Sequence, residues 1–278
     1  MLRTQSRLGT KLGAHAILLL FSVFFIVPFF ILVSTSLKTQ PETFIYPIKW
    51  LPERLYIQNY LDVFTVIPFF RYFLNTTFIT VLNVAGALFS CPLAAYALAR
   101  LQWKGREFIF YVTLAVMMIP YAVTMVPIYM IFAKADMIGT YWPLILPAFF
   151  GSPFFIFLLR QFFKGLPKEL EDAARVDGCN EFRIYLNIFL PLTVPALLTI
   201  VIFQVIHSWN DFMGPLLYLQ ESEMYTLQIG LQQFKFSHGT DWPALMAASV
   251  LVSIPVILLF FFAQKRFLEG MTFSGIKG

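Results

Sequence analysis

The sequence predicts an all-α membrane protein with six transmembrane helices, and three observations support this fold class. Hydrophobic residues make up 59% of the 278 residues, whereas charged residues make up only 13%. An average soluble domain is about 25% charged, so a soluble globule of this composition would leave a large apolar surface in water. Six long segments lack Asp, Glu, Lys and Arg, and the basic residues concentrate in alternate connections between them.

Six apolar segments are each long enough for a helix to cross a bilayer, which takes about 20 residues. They are residues 14–36, 72–99, 108–132, 142–159, 188–206 and 244–263. Prolines lie in or beside them, among them Pro120, Pro191 and Pro255. Because proline has no backbone N–H, we expect kinks there, with neighbouring helices satisfying the freed carbonyl groups.

The first span follows the basic residues Arg3, Arg7 and Lys11, as the core of a cleaved signal peptide would. Its apolar stretch is longer than the roughly 7–15 residues of a signal core, and no A-x-A cleavage pattern follows it. We therefore expect a retained helix at 14–36, preceded by a cytoplasmic N-terminus at 1–13.

The positions of Lys and Arg predict the orientation of the helices. If the N-terminus is inside, the inner segments 1–13, 100–107, 160–187 and 264–278 hold 14 of the 20 basic residues. Inner loops of membrane proteins carry such an excess. We therefore expect both termini in the cytoplasm, with residue 172 inside and residue 225 outside.

The sequence contains neither a visible energy source nor a catalytic site. The spans lack the ionisable residues of ion-coupled carriers, and no Gly-Lys pair for a phosphate loop occurs anywhere. Two cysteines, three histidines and scattered polar residues predict neither a metal site nor an enzyme. The absence of long basic runs argues against nucleic-acid binding. If the protein transports a solute actively, another subunit must supply the energy.

Residues 167–178 predict a short helix on the inner side. Pro167 suits a first helical turn, acidic side chains follow near the positive end of the helix dipole, and Gly178 suits the left-handed conformation that ends a helix. Helical spacing places Leu170, Ala173, Ala174 and Asp177 on one side. Such a small-residue face lets another surface approach closely, and an ordinary solvated loop helix is the alternative.

The same segment carries a family resemblance. Glu171-Asp172-Ala173-Ala174-Arg175-Val176-Asp177-Gly178, followed by Leu190-Pro191, resembles the EAA signature of the permeases of ABC importers. Asp172 stands where this family most often has Glu, which keeps the charge. Further motifs resemble the carbohydrate-uptake branch of the maltose type, in order along nearly the whole chain: Asn59-Tyr60, Asn75-Thr76-Thr77, Ala94-Ala95-Tyr96-Ala97-Leu98-Ala99-Arg100, Met118-Ile119-Pro120, Trp209-Asn210-Asp211, Gln264-Lys265-Arg266-Phe267, Gly270 and Gly275-Ile276-Lys277-Gly278.

The resemblance implies the type I ABC importer (MetI-like) permease fold. A core domain of five helices would cover residues 71–265, including a coupling-helix loop at 164–190, and the first helix would wrap a partner permease. The tail at 266–278 would be cytoplasmic, and the protein would lie in a bacterial or archaeal inner membrane.

The resemblance also implies the partners. They are a second, related permease subunit of the maltose type, two ATPase subunits, an extracytoplasmic solute-binding protein and the lipid bilayer. The ATPase would use ATP and Mg²⁺, and this chain would bind no cofactor. The residues expected to couple to the ATPase are Glu171, Asp172, Ala173, Ala174, Arg175, Asp177 and Gly178.

Polar residues around the fifth span are candidates for solute contact. Trp209, Asn210 and Asp211 are expected to face the solute or the binding protein, because sugars are held by aromatic faces and planar polar groups. The alternative is that they anchor and cap the end of a helix. Asn75, Asn83, Gln204 and Ser208 either line the pathway or join helices by hydrogen bonds.

These observations predict a permease subunit of an ATP-driven importer for a sugar or oligosaccharide. Two alternatives stay open from the sequence. One is a permease of the same superfamily for glycerol phosphate, an amino acid or a peptide. The other is an autonomous carrier or channel.

Overall fold

The structure is a computed structural model that describes residues 2–236 and 239–272, and these residues form helices joined by short connections. In chain order the helices are α1 (Leu2–Ser36), α2 (Gln40–Thr43), α3 (Gln58–Val66), α4 (Phe69–Ala99), α5 (Arg106–Val116), α6 (Tyr121–Lys134), α7 (Trp142–Ile145), α8 (Pro153–Gly165), α9 (Glu169–Val176), α10 (Glu181–Ile184), α11 (Leu190–Leu192), α12 (Val194–Trp209), α13 (Met213–Tyr218), α14 (Leu227–Gln232) and α15 (Trp242–Thr272). Turns of 3₁₀-helix span Leu146–Phe150 and Ser222–Met224, and a π-helical turn, Tyr185–Phe189, joins α10 to α11. Two strands, β1 (Lys235–Phe236) and β2 (Gly239–Thr240), pair antiparallel.

The described residues contain four apolar helices long enough to cross a membrane. These are Gly13–Ser36, Phe69–Ala99, Trp142–Gly165 and Trp242–Gln264. Two further candidates are pairs of helices bent at a short break: Arg106–Val116 with Tyr121–Lys134, bent by 103°, and Glu181–Leu192 with Val194–Trp209, bent by 74°. If each bent pair crosses once, the structure has the six spans that the sequence predicts, in the predicted order.

The two bent pairs are helices broken at a short interruption, whereas continuous helices with kinks were expected at 108–132 and 188–206. Pro120 lies at the first break with an extended backbone and directly precedes α6. At the second break, Pro191 and Pro195 flank Thr193. A proline can begin a helix but cannot continue one without losing a hydrogen bond, so these prolines start new helical segments.

One compact unit comprises Met1–Phe69 and Gly230–Ile254. Its connecting segments are held by side-chain amides. The amide nitrogen of Asn59 donates to the carbonyl oxygens of Ser36 and Lys38, both at 2.8 Å. The Gln40 side chain donates to the carbonyl of Thr240 and accepts from the backbone of Trp242. The Asn59 bonds hold the end of α1 against α3, and the Gln40 bonds hold α2 against the start of α15.

The other compact unit comprises Phe70–Ile229 and Pro255–Gly278, and α4 is its central helix. Its buried cluster includes Cys91 of α4, Leu159 and Phe163 of α8, Phe189 of the π-helical turn and Ile200 of α12. Cys91 is a free, buried thiol. Between helices in a bilayer, close van der Waals packing replaces much of the hydrophobic driving force that acts in water. Tight contacts at small residues are therefore important here.

Gly86 provides one such contact. A methyl group added at Gly86 would lie 2.7 Å from a ring carbon of Phe149 and 3.1 Å from the backbone of Ala148. Real side chains do not approach so closely, so the 3₁₀ turn at Leu146–Phe150 packs against α4 only because residue 86 is glycine.

We predict that Gly86→Ala lowers the stability of the protein by about 1–3 kcal/mol, because the added methyl overpacks this contact. The matched control is Gly165→Ala at the end of α8, where an added methyl meets nothing within 4 Å. Thermal unfolding of the purified protein in detergent measures both. Equal melting temperatures for the two variants would contradict the close packing described for Gly86.

Candidate functional site

The segment expected to contact another subunit forms a helix with well-defined ends. Helix α9 runs from Glu169 to Val176 after Pro167, and Glu171 and Asp172 donate their backbone N–H groups to the carbonyl of Lys168. At the other end, Gly178 has φ +79°, its N–H donates to Arg175, and the N–H of Cys179 donates to Ala174. This is a Schellman motif, and it confirms the left-handed glycine predicted at the end of the helix.

The faces of α9 differ from the sequence expectation. Of the set predicted to share one side, Ala174 is buried, whereas Leu170, Ala173 and Asp177 are exposed. Glu171, predicted near the charged margin, is buried beside Ala174. The reason is that helical spacing assigns neighbours but not the side that packs on the rest of the chain. Leu170, Ala173, Val176 and Asp177 therefore form an outward face, here called the α9 outer face, and Val176 is 89% exposed.

A buried ion pair fastens α9 to α4. Nη1 of Arg100, directly after α4, lies 2.7 Å from Oε1 of Glu171, and the two side chains are only 5% and 7% exposed. Nη2 of Arg100 also donates to the carbonyls of Phe163 and Leu166, the latter at 2.6 Å. The guanidinium lies 4.8 Å from the centre of the Phe189 ring. These contacts together offset the cost of removing the Arg100 charge from water.

A second connection runs through Arg175 to α10. Nε of Arg175 donates to Oε1 of Glu181 at 2.9 Å, and Nη2 donates to Glu171 at 3.3 Å. The other carboxylate oxygen of Glu181 accepts from the Tyr96 hydroxyl at 3.1 Å. The hydrogen bond to Glu181 is the main cause that raises the pKa of Arg175 above its ordinary value. The chain of contacts returns to α4 at Tyr96, whose ring packs on Phe189.

A cleft of about 460 Å³ lies beside this network. Basic side chains predominate among its lining residues, which are Ala99, Arg100, Gln102, Arg106, Lys164, Lys168, Glu171, Asp172 and Arg175. Since both acidic groups already contact Arg100 or Arg175, the cleft presents a net positive surface. Such a surface suits an acidic element of a partner protein.

The Trp209-Asn210-Asp211 trio serves mainly the local structure. Trp209 is buried and packs edge-to-face on Phe73, with ring centres 5.7 Å apart. The Asn210 amide donates to the carbonyl of Ile206, and Asp211 accepts from the N–H of Gly214 at the start of α13. Asp211 also lines a cavity of about 290 Å³, which Trp209 and Asn210 do not line.

That cavity gathers several polar residues predicted as pathway candidates. Asn83, Gln204 and Ser208 line it, together with Thr76, His207 and Thr226. Asn75 does not line it and instead donates to the carbonyls of Glu223 and Tyr225, each at 2.9 Å. The sequence did not predict that Thr226 lines this cavity, because only the tertiary fold brings the segment before α14 against α4.

Among the described residues, no group of three or more His, Cys, Asp or Glu side chains is arranged to hold a metal ion. The C-terminal motif Gly275-Ile276-Lys277-Gly278, which contributes to the resemblance, lies outside the described residues.

Comparison with known proteins identifies the family of the chain. Residues 86–272 match the profile of the family described as "Binding-protein-dependent transport system inner membrane component". The arabinooligosaccharides transport system permease protein AraQ of Halalkalibacterium halodurans is 38% identical over 246 residues, covering 88% of this chain and 86% of that protein. The inner membrane ABC transporter permease protein YcjP of Escherichia coli K12 is 30% identical over 278 residues, covering 99% of each chain.

A solved structure shares the fold. A chain in the crystal structure of a bacterial ABC transporter that imports the acidic polysaccharide alginate superposes with a TM-score of 0.80 at 24% identity. The match covers 92% of this chain and 96% of that one. The all-α importer-permease fold predicted from the sequence is thereby confirmed.

We predict that Glu171→Gln destabilises the protein by about 3–5 kcal/mol, because Arg100 would keep a buried charge without its counter-charge. Asp172→Asn is the matched control on the same helix. The Asp172 side chain is 73% exposed, and its contact to Arg175 spans 3.5 Å, so its loss should cost less than about 0.5 kcal/mol. Thermal unfolding of both variants in detergent tests this, and similar melting temperatures would contradict the buried-pair assignment.

Proposed function

The chain belongs to the family of binding-protein-dependent transport system inner membrane components, and we propose that it is a permease subunit of an ATP-driven carbohydrate importer. The observation that carries this proposal is the 38% identity to an arabinooligosaccharide permease over 88% of the chain. The family favours neither an autonomous carrier nor an enzyme. Hydrolysis of ATP, with Mg²⁺, is assigned to a separate ATPase subunit.

The assembly follows from the same premise. The chain forms half of the translocation pathway, and a second, related permease of the maltose type forms the other half. Two ATPase subunits and an extracytoplasmic solute-binding protein complete the importer. The Lys and Arg distribution supports a cytoplasmic location for both termini and for α9.

The α9 outer face is the docking surface for the ATPase in this proposal. Its members, Leu170, Ala173, Val176 and Asp177, are exposed in the isolated chain, and Ala173 is small enough to let a partner approach closely. The positively charged cleft beside α9 supplies the polar margin of the contact. An apolar centre with a charged margin is typical of protein interfaces.

Movement of the ATPase reaches the spans through the buried side of α9. Glu171 is paired to Arg100 at the end of α4, and Arg175 is connected through Glu181 to Tyr96 on the same helix. A displacement of α9 that broke the Arg100–Glu171 pair would leave charges unpaired in a low-dielectric environment. Helices α9 and α4 therefore move together, and force applied to the outer face is transmitted along α4.

We predict that Val176→Asp weakens ATPase binding at least tenfold, because it places a charge at the centre of the docking surface. The stability of the isolated chain should change by less than about 0.5 kcal/mol, since Val176 is 89% exposed. The measurement is the amount of ATPase that co-purifies with the tagged permease pair.

The matched control is Leu55→Asp, which also replaces an exposed apolar residue by aspartate. Leu55 is 68% exposed and lies in the segment after α1, a segment that is expected on the outer side of the membrane. This variant should retain normal amounts of ATPase. Full ATPase recovery with Val176→Asp would overturn the assignment of the docking surface.

We predict that α9 lies on the cytoplasmic side and that Glu221 lies on the outer side, and single-cysteine labelling of whole cells tests this orientation. The background variant is Cys179→Ser, because Cys91 is buried and Cys179 is partly accessible. A cysteine at exposed Glu221 should react with a membrane-impermeant maleimide in intact cells, whereas one at Asp172 should react only after permeabilisation. The reverse pattern would show that α9 lies outside.

A further inference from the structure

We propose that the 290 Å³ cavity is a binding site for one neutral sugar unit, and that Asp211 makes it reject anionic sugars. This inference rests on the proposed function and assigns part of the solute path to this subunit. The volume is at the lower end for ligand sites, which suits a single ring rather than a whole oligosaccharide.

Thr226 has unused hydrogen-bonding capacity in the cavity wall. Its side chain is 3% exposed, and its hydroxyl oxygen has no hydrogen-bond partner within the part of the chain that the structure describes. Buried polar groups without partners are rare because they cost stability, so this one calls for an explanation. Gln204, on α12, is also buried and lines the same cavity with an amide that can both donate and accept hydrogen bonds. A ligand rich in hydroxyl groups would satisfy Thr226 and would find a donor and an acceptor at Gln204.

The other polar residues of the wall differ in what they offer. Asn83 donates its amide N–H to the Ser208 hydroxyl at 3.2 Å, which leaves its carbonyl oxygen able to accept a hydrogen bond. Thr76 already has partners in the protein, since its hydroxyl donates to the carbonyl of Tyr72 and accepts from the N–H of Leu227. The site therefore consists of Asn83, Gln204 and Thr226, with Thr76 holding the wall in place.

The charge of the wall favours neutral ligands. Asp211 contributes a carboxylate to the wall, and one of its oxygens accepts from the N–H of Gly214 at 3.0 Å. Among the described residues, the lining includes neither Lys nor Arg; His207 is the other titratable group. A sugar carboxylate would meet Asp211 without a fixed cation to offset the repulsion. Neutral sugars avoid this cost.

The experiment measures sugar binding to the assembled complex of both permeases and the ATPases in detergent, without the binding protein. This choice removes the selectivity of the binding protein from the measurement. The probes are tritiated arabinotriose, which is neutral, and tritiated trigalacturonate, which is anionic, in equilibrium dialysis. Wild-type complex should bind arabinotriose saturably and at least about fivefold more tightly than trigalacturonate.

Two variants test the polar wall. Gln204→Leu and Thr226→Val should each weaken arabinotriose binding about 3- to 10-fold, the usual effect of losing one hydrogen bond. Thr226→Val should also leave the melting temperature equal or higher, because an unpartnered hydroxyl is replaced by a methyl group. If Thr226 had only a structural role, Thr226→Val would lower the melting temperature. The control is Thr199→Val, on the same helix as Gln204. The Thr199 hydroxyl donates to the carbonyl of Pro195, and Thr199 does not line the cavity.

Asp211→Asn tests the charge selection, because asparagine keeps an oxygen for the N–H of Gly214. Trigalacturonate should bind at least about fivefold more tightly, while arabinotriose binding changes less than about twofold. Unchanged selectivity would overturn the role of Asp211. Absence of saturable arabinotriose binding, or wild-type affinity in Gln204→Leu and Thr226→Val, would show that the cavity holds only water and would overturn the site.

Uptake by proteoliposomes that carry the complete importer separates failure of the site from failure of the function. If the wild-type importer accumulates a sugar at the expense of ATP and the cavity variants bind as the wild type does, the proposed function stands and the site is wrong. If no sugar in a panel of neutral and acidic oligosaccharides is accumulated, the proposed function fails, and this inference fails with it.

Discussion

The buried ion pair between Arg100 and Glu171 is the interaction on which the proposed mechanism depends. A guanidinium and a carboxylate removed from water lose hydration energy, and only close contact and additional hydrogen bonds offset that loss. Arg100 obtains them from Glu171 and from two carbonyl groups, that of Phe163 in α8 and that of Leu166 directly after it. The pair therefore resists separation, and the short helix α9 keeps a fixed position on α4 although most of its surface is exposed.

Helix α4 connects this pair to the polar cavity. Asn83 lines the cavity, and Arg100 directly follows the same helix about 25 Å further along its axis, at 1.5 Å per residue. In the proposed mechanism, a displacement imposed on α9 would change the position of α4 and so the distance of Asn83 from Gln204 on α12. One end of α4 thus adjoins the proposed docking surface, and the same helix lines part of the proposed solute site.

The sequence predicts the features that depend on local physics. Apolar length predicts the spans. Gly178 predicts the end of α9, because glycine readily takes the left-handed conformation that commonly ends a helix. Features set by packing were not predictable. Helical spacing grouped Ala173 with Ala174, but the tertiary fold buries Ala174 and Glu171 and leaves Ala173 outside. The 103° and 74° bends have prolines as local signals, but those prolines do not predict the size of either bend. Thr226 enters the cavity wall because the N–H of Leu227 donates to Thr76 on α4, a contact between residues far apart in the chain.

The composition of the cavity agrees with an energy source outside this chain. Neutral hydroxyl and amide groups bind a sugar only modestly, because each new hydrogen bond replaces bonds to water. A modest site suits a conduit, since a tightly bound solute would leave too slowly. In the proposed importer, the free energy for directional transport enters through a mechanical contact. Helix α9, with one face exposed and the other fixed by buried charges, is the element proposed to receive it.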